Sequence, residues 1–160
     1  MLQKHRLNVL KKPKQFYSGK KKRHTVKSQI VIERESQKIL CTTAHGKGKP
    51  HDFKLFKKSK TRLPEEVICL GDKGYQGIQK NYKLSKITHQ KTKKKKLSLE
   101  QKKYNINLAS IRIVIEHVYR SLKIFRILSE RYRNRRTRFS LRFNLIAGIY
   151  NYELSLSQNS

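Results

Sequence analysis

Four side chains in the segment 108–128 recur at helical spacing: Arg112, Glu116, Tyr119 and Lys123. At 3.6 residues per turn this spacing puts them on one face of a helix, so a carboxylate lies among cations. Carboxylate oxygens bind hard divalent cations, and arginine and lysine bind phosphates, so this face could hold a metal ion beside a phosphate ester. A solvated helix with an ordinary Arg–Glu pair one turn apart fits the same residues. The spacing alone leaves both interpretations open.

Two further acidic residues occur where sites often form. Asp72 follows the apolar run 67–70 after one glycine, and this run predicts a short strand buried on both faces. Ligand sites in open α/β sheets lie past the carboxyl ends of strands, although an aspartate here also fits an ordinary turn. His51 and Asp52 lie in the first turn of a predicted short helix, where an aspartate either caps the helix or contributes to a site.

The chain is strongly basic. Its 160 residues include 40 Lys and Arg against 10 Asp and Glu, for a formal charge of +30. This charge predicts a polyanionic partner, and nucleic acid is the first candidate. A run of lysines, Lys93, Lys94, Lys95 and Lys96, fits a solvated loop or contact with a DNA backbone. Because no run approaches the roughly 18 apolar residues of a membrane span and no signal peptide heads the chain, we expect no membrane partner and a cytoplasmic, nucleoid-associated location.

The first half of the chain predicts mainly strands. Residues 1–15 show neither helical nor strand periodicity, so we expect them to be disordered or loosely attached. The segments 26–32 and 38–44 are rich in β-branched and apolar residues on either side of a polar turn, which predicts a β-hairpin. A short helix is expected over 78–84 and a weak strand over 86–90.

The second half predicts two helices. Ser98 and Gln101 have capping-box spacing, so the long helix should begin there and continue to about residue 128. Apolar residues at helical spacing predict a closing helix that packs on the sheet: Phe139, Phe143, Ile146 and Tyr150. The Ser- and Gln-rich residues 155–160 are expected to be a tail. Strands and helices in this order indicate an α/β fold.

Several stretches resemble one known family. YSGKKKRHTVK, GKPHD, LGDKGYQG, the spacing of Arg112, Glu116 and Lys123, and the closing RYRNRRTRFSLRFNLIAGIYNYEL are similar to the catalytic domain of DDE insertion-sequence transposases. The similarity points to the IS5-like group of the IS4/IS5 superfamily and covers residues 16–154. The chain departs from the family's Tyr-Arg-Glu-Lys pattern at Ala109, where some relatives carry tyrosine.

The resemblance implies an RNase H-like mixed sheet with flanking helices, in an enzyme that cleaves and transfers DNA strands with two Mg²⁺ or Mn²⁺ ions. Asp72 and Glu116 would be the second and third catalytic, metal-binding carboxylates, and Arg112 and Lys123 would bind phosphates of the transposon end. Candidate accessory residues are His51, Asp52 and Tyr119. The implied partners are transposon ends, target DNA, and a second copy or a full-length transposase.

The family's first aspartate has no counterpart, because residues 1–12 contain no Asp or Glu. We therefore expect residues 1–15 to lie outside the family, and the domain to be N-terminally truncated and inactive by itself. Without the family's first, central strand, the hairpin would have an unpaired edge. One hypothesis is that residues 1–12 are read in a shifted frame that joins the family's frame near Lys11 and Lys12, which the gene sequence would test.

Another class of protein explains the charge equally well. In a small basic nucleic-acid-binding protein, Asp72 and Glu116 would be structural residues only. A transposition inhibitor would bind DNA or full-length transposase and block it. Metal binding that depends on both acids would separate the transposase from the small basic protein.

Overall fold

The computed structural model describes residues 2–6, 17–18, 22–47, 52–91, 96–133 and 138–158. The chain divides into two compact units. The first unit combines Met1–Pro50 with Ile115–Ser160, and the second unit is His51–Val114. Strands and helices both occur, so the predicted α/β composition is confirmed.

One long strand, β3 (Arg23–Ile32), organises the sheet of the first unit. Three other strands pair with it in the antiparallel sense: β1 (Leu2–Arg6), β2 (Tyr17–Ser18) and β4 (Ile39–Lys47). Strands β3 and β4 form the predicted hairpin, with a turn over residues 34–36.

Strand β1 corrects the expectation that the first residues are disordered or loosely attached. It pairs with β3 from Leu2 opposite Gln29 to Arg6 opposite Thr25. Apolar and polar residues do not alternate in β1, so its sequence does not predict a strand. The strand is defined by its pairing with β3, which is distant in the sequence. The same pairing covers an edge of β3 that we expected to be unpaired. Residues 7–16 lie outside the described residues.

The closing helix α4 (Phe139–Gln158) packs against β4, as predicted. Asn151 joins the two elements, because its side chain accepts a hydrogen bond from the Ile39 amide at 2.8 Å and donates one to the Ile39 carbonyl at 2.9 Å. The helix continues through residues 155–158, so the prediction of a tail was wrong there. Ser155 and Ser157 donate to carbonyls of the helix itself, which keeps these polar residues compatible with the helical backbone.

The core of the first unit combines the sheet with helical residues. Its fully buried side chains include Ile30 of β3 and Phe143 of α4, at 1% and 0% exposure. Other buried members are Val26, Ile39, Val118, Tyr119, Leu122, Leu128, Tyr132, Phe139, Ile146 and Ala147. The predicted core residues Phe139, Phe143 and Ile146 are therefore confirmed.

The second unit has shorter elements. Helix α1 (Asp52–Ser59) is followed by β5 (Leu70–Gly71), which pairs in parallel with β6 (Lys86–Ile87). Two 3-10 turns, Lys73–Tyr75 and Ile78–Lys80, lie between these strands. A small core of Phe56, Tyr75, Ile78 and Ile87 holds the unit together.

Two predictions for this unit were wrong. Val67 and Ile68 are 49% and 52% exposed, so the run 67–70 is not a strand buried on both faces. Only its last residue enters β5, because an apolar run does not by itself supply neighbours to cover it. The helix predicted over 78–84 is reduced to the turn Ile78–Lys80.

The long helix α2 (Leu99–Leu122) begins in the second unit and ends in the first. Its capping box is confirmed: Gln101 N–H donates to Ser98 Oγ, and Ser98 N–H donates to Gln101 Oε1, both at 3.2 Å. The helix stops before residue 128: the Lys123 amide is shared between the carbonyls of Tyr119 and Arg120, and the Ile124 amide bonds to Ser121, three residues back. A separate short helix, α3 (Arg126–Ser129), follows. Within the described residues, no helix is both long enough and apolar enough to cross a membrane.

Candidate metal and phosphate site

Asp72 lies directly after β5 and caps the turn that follows. Its backbone is extended, with φ −89° and ψ 179°, and its Oδ1 accepts a hydrogen bond from the Gly74 amide at 2.7 Å. This is the turn role that the sequence left open for Asp72. A carboxylate oxygen that caps a backbone amide keeps lone pairs for another ligand, so the cap does not exclude a site.

The second oxygen of Asp72 faces a cation of helix α2. Asp72 Oδ2 lies 3.8 Å from Arg112 Nη2, and the two side chains are only 25% and 21% exposed. At this distance charge attraction, more than a direct hydrogen bond, joins the pair. The guanidinium of Arg112 therefore retains N–H donors for a further acceptor such as a phosphate oxygen.

Asp52 of helix α1 meets Asp72 beside Gly74. A Cβ added at Gly74 would lie 2.9 Å from Asp72 Oδ1 and 3.0 Å from Asp52 Oδ2. Two carboxylates therefore border the space beside Gly74 that a side chain would fill. The sequence indicated both acids separately and not their proximity, since only the fold brings these two segments together.

Tyr75 lies beside this acidic pair. Its side chain is buried at 5% exposure, and its hydroxyl has no hydrogen-bond partner in the part of the chain that the structure describes. Burial raises the pKa of the phenol, and the negative charges of Asp52 and Asp72 raise it further, whereas Arg112 lowers it. The hydroxyl therefore stays protonated and can donate a hydrogen bond.

The remaining candidate residues belong to the first unit, precede helix α2, or lie outside the described residues. Glu116, within helix α2, and Lys123, directly after it, are exposed residues of the first unit. Lys96, which precedes the helix, is also exposed. Tyr119 is 3% exposed within the hydrophobic core of the first unit, an environment typical of a packing residue. His51, Lys93, Lys94 and Lys95 lie outside the described residues.

A pair of carboxylates is enough for some divalent cations. Across the described ranges, no group of three or more His, Cys, Asp or Glu residues is arranged to hold a metal ion. Mg²⁺, however, commonly takes only one or two protein carboxylates and completes its shell with water and phosphate oxygens. The chemistry of Asp52 and Asp72 is therefore compatible with a hydrated Mg²⁺ or Mn²⁺.

Comparison with known proteins agrees with this chemistry. The family model described as "DDE superfamily endonuclease" matches residues 3–151, which include most of the segment that we expected to lie outside the family. A protein of Microchaete diplosiphon, named as a probable transposase for insertion sequence element IS702, is 56% identical over 146 residues. The alignment covers 91% of this chain and 52% of that protein, so the chain spans about half the length of this relative. No solved structure matches the chain. The extent of the family match shows that the chain belongs to the DDE superfamily endonucleases.

Proposed function

We propose that the chain is part of the catalytic domain of an IS5-like insertion-sequence transposase and acts on DNA with divalent metal ions. Family membership, the relative named as a probable transposase and the formal charge of +30 support this proposal. The observation that carries it is the Asp72–Arg112 ion pair at 3.8 Å. It joins the acid of the LGDKGYQG motif to the arginine of the helical motif, two features far apart in the sequence.

Asp72 and Glu116 would hold the metal ions. Glu116 follows Arg112 by four residues in α2, and residues at this spacing share a face of a helix. The role of Glu116 therefore rests on the register of this helix and on the family resemblance. When bound, the ions would activate water or a 3′-hydroxyl and stabilise the leaving oxygen of a phosphodiester. Arg112 would bind and orient the phosphate.

The residues that we propose to bind DNA are lysines that precede and follow helix α2 in the sequence. Lys96 and Lys123 are exposed, so both are available to phosphates. We include Lys93, Lys94 and Lys95 among these residues because they continue the same lysine run. Transposon ends and target DNA are the proposed partners, together with a second copy or a full-length transposase, and the chain would act in the cytoplasm at the nucleoid.

The proposal extends to an RNase H-like fold that has no first catalytic aspartate in this chain. Its support is the order of a hairpin, a helix, a strand followed by Asp72 and a long helix carrying Glu116. Residues 1–12 supply no acid for the first position. Two metal ions in a phosphoryl-transfer site need several oxygen ligands, so we propose that the chain alone does not cleave DNA.

Metal binding tests the proposed function. Asp72→Ala and Glu116→Ala are each expected to weaken Mn²⁺ binding by about 10-fold or more, because each removes a ligand oxygen donor. Electron paramagnetic resonance of free Mn²⁺ measures the affinity, and Glu130→Ala is the control because Glu130 is an exposed acid paired with Arg126. If neither variant changes Mn²⁺ affinity while DNA binding persists, the chain is instead a small basic nucleic-acid-binding protein with structural acids.

A further inference from the structure

Two elements of the second unit bring acids to one point. Asp52 is the first residue of α1, and Asp72 directly follows β5. Because Asp52 Oδ2 and Asp72 Oδ1 lie 3.0 and 2.9 Å from the same point beside Gly74, they are no farther apart than the sum of these distances. A cation with bonds of about 2.1 Å spans oxygens up to roughly 4 Å apart. Small side-chain rotations are therefore enough for both carboxylates to contact one ion.

Arg112 and Gly74 lie at different oxygens of Asp72. Arg112 approaches Asp72 through Oδ2, whereas Oδ1 is the oxygen that borders Gly74. Carboxylates that face each other closely repel unless a proton or a positive charge lies between them. A divalent ion would relieve that repulsion and leave the Arg112 pair in place.

A buried hydroxyl provides an independent observation. Tyr75 follows Gly74 in the chain, is 5% exposed, and carries a hydroxyl with no hydrogen-bond partner in the described ranges. Both acids lie near enough to raise the pKa of this phenol, after the larger effect of burial. Buried hydroxyls normally have partners, and Mg²⁺ and Mn²⁺ usually keep bound waters, which can donate a hydrogen bond to a tyrosine oxygen.

We propose that Asp52 is a further metal ligand, which shares one Mg²⁺ or Mn²⁺ ion with Asp72 beside Gly74. Tyr75 would be a positioning residue whose hydroxyl oxygen accepts a hydrogen bond from a water on this ion. The inference deepens the proposed function and rests on it, because that function assigns Asp72 to a metal ion. It adds a ligand from α1, a helix that the proposed function leaves without a role, and it concerns ion binding by the second unit, not DNA cleavage.

Substitution of Asp52 gives the direct test. Asp52→Asn keeps the size of the side chain and its ability to cap a helix, so α1 should persist. Mn²⁺ affinity of the full chain is expected to fall by about 10-fold or more, because the amide removes a charged oxygen ligand. Far-UV circular dichroism checks the fold, and Asp52→Ser, which also caps helices, replaces Asp52→Asn if that variant does not fold.

Two glycines supply a matched pair of further variants. Gly74→Ala would put a methyl group 2.9 and 3.0 Å from the two carboxylate oxygens, so the acids must move apart and Mn²⁺ binding should weaken by a similar factor. Gly148→Ala is the control, because a Cβ there meets nothing within 4 Å. Its Mn²⁺ affinity should equal that of the wild type.

The results separate this inference from the proposed function. If Asp72→Asn weakens Mn²⁺ binding and Asp52→Asn does not, Asp52 is only a helix-terminal residue, so the inference fails and the role of Asp72 stands. If neither substitution weakens binding, both proposals fail. Weaker binding in Asp52→Asn and Gly74→Ala, with Gly148→Ala unchanged, supports the shared ion.

Discussion

Raising the salt concentration from about 50 to 200 mM is expected to weaken binding of the chain to duplex DNA by roughly 10³-fold or more. Lysine and arginine side chains that bind phosphates displace condensed counterions, so added salt opposes binding. A change of this size requires about six or more bound phosphates, and a formal charge of +30 supplies enough basic residues for them. Fluorescence anisotropy of a labelled duplex across a salt series measures the dissociation constant.

Neutral replacement of the lysine run tests where the DNA phosphates bind. Changing Lys93, Lys94, Lys95 and Lys96 to glutamine should reduce the slope of log affinity against log salt by about 0.9 for each phosphate that the variant no longer binds. The same four residues changed to arginine keep their charge and should keep the slope. A dissociation constant that does not respond to salt in the wild-type chain would contradict the electrostatic basis of the proposed DNA binding.

Phe143→Ala is expected to lower the free energy of unfolding of the first unit by about 3–5 kcal/mol. Phe143 is 0% exposed and stacks on Phe139, with ring centroids 6.2 Å apart and planes 9° apart. The substitution removes buried apolar area and leaves a cavity between α4 and the rest of the core. Because domains of this size are stable by only about 5–15 kcal/mol, a large part of the stability would disappear.

An exposed residue of the same helix provides the control. Leu141 is 69% exposed, so Leu141→Ala should change the free energy of unfolding by less than about 0.5 kcal/mol. Urea unfolding followed by far-UV circular dichroism compares the two variants with the wild-type chain. Similar midpoints for Phe143→Ala and the wild type would show that the unit does not depend on this core.

Elements with complete local signals were predicted from the sequence. The Ser98–Gln101 capping box marks the start of α2 because both of its hydrogen bonds form within four residues. Helix α4 was predicted because its apolar positions repeat at helical spacing, and Phe139 and Phe143 are buried as expected. Such signals depend only on residues that are near one another in the sequence, so they can be recognised without knowledge of the fold.

Elements defined by distant partners were missed. Strand β1 depends on pairing with β3, and nothing within Leu2–Arg6 predicts that pairing. Conversely, the apolar residues Val67 and Ile68 suggested burial, yet both are about half exposed. The type of a residue indicates how favourable its burial would be, but only the tertiary structure determines which residues are buried.

The candidate site was predicted in part for the same reason. Asp72, Arg112 and Asp52 were each selected for their chemical type and local position. The proximity of Asp72 to Arg112, and of Asp52 to Gly74, follows from the tertiary structure of the second unit. Gly74 is the residue that could have suggested this proximity, because a position without a side chain beside an acid leaves room for another group.

The division of the chain into two units also affects the order in which they can fold during translation. The first unit takes its sheet from Met1–Pro50 and its closing helix from Ile115–Ser160, so all of His51–Val114 is synthesised between them. The apolar face of the β3–β4 hairpin therefore emerges well before α4 exists to cover it. The contiguous second unit can close its own small core meanwhile. Exposed apolar strands promote aggregation. Newly synthesised chains therefore depend on rapid completion of α4, or on protection of the hairpin until α4 covers it.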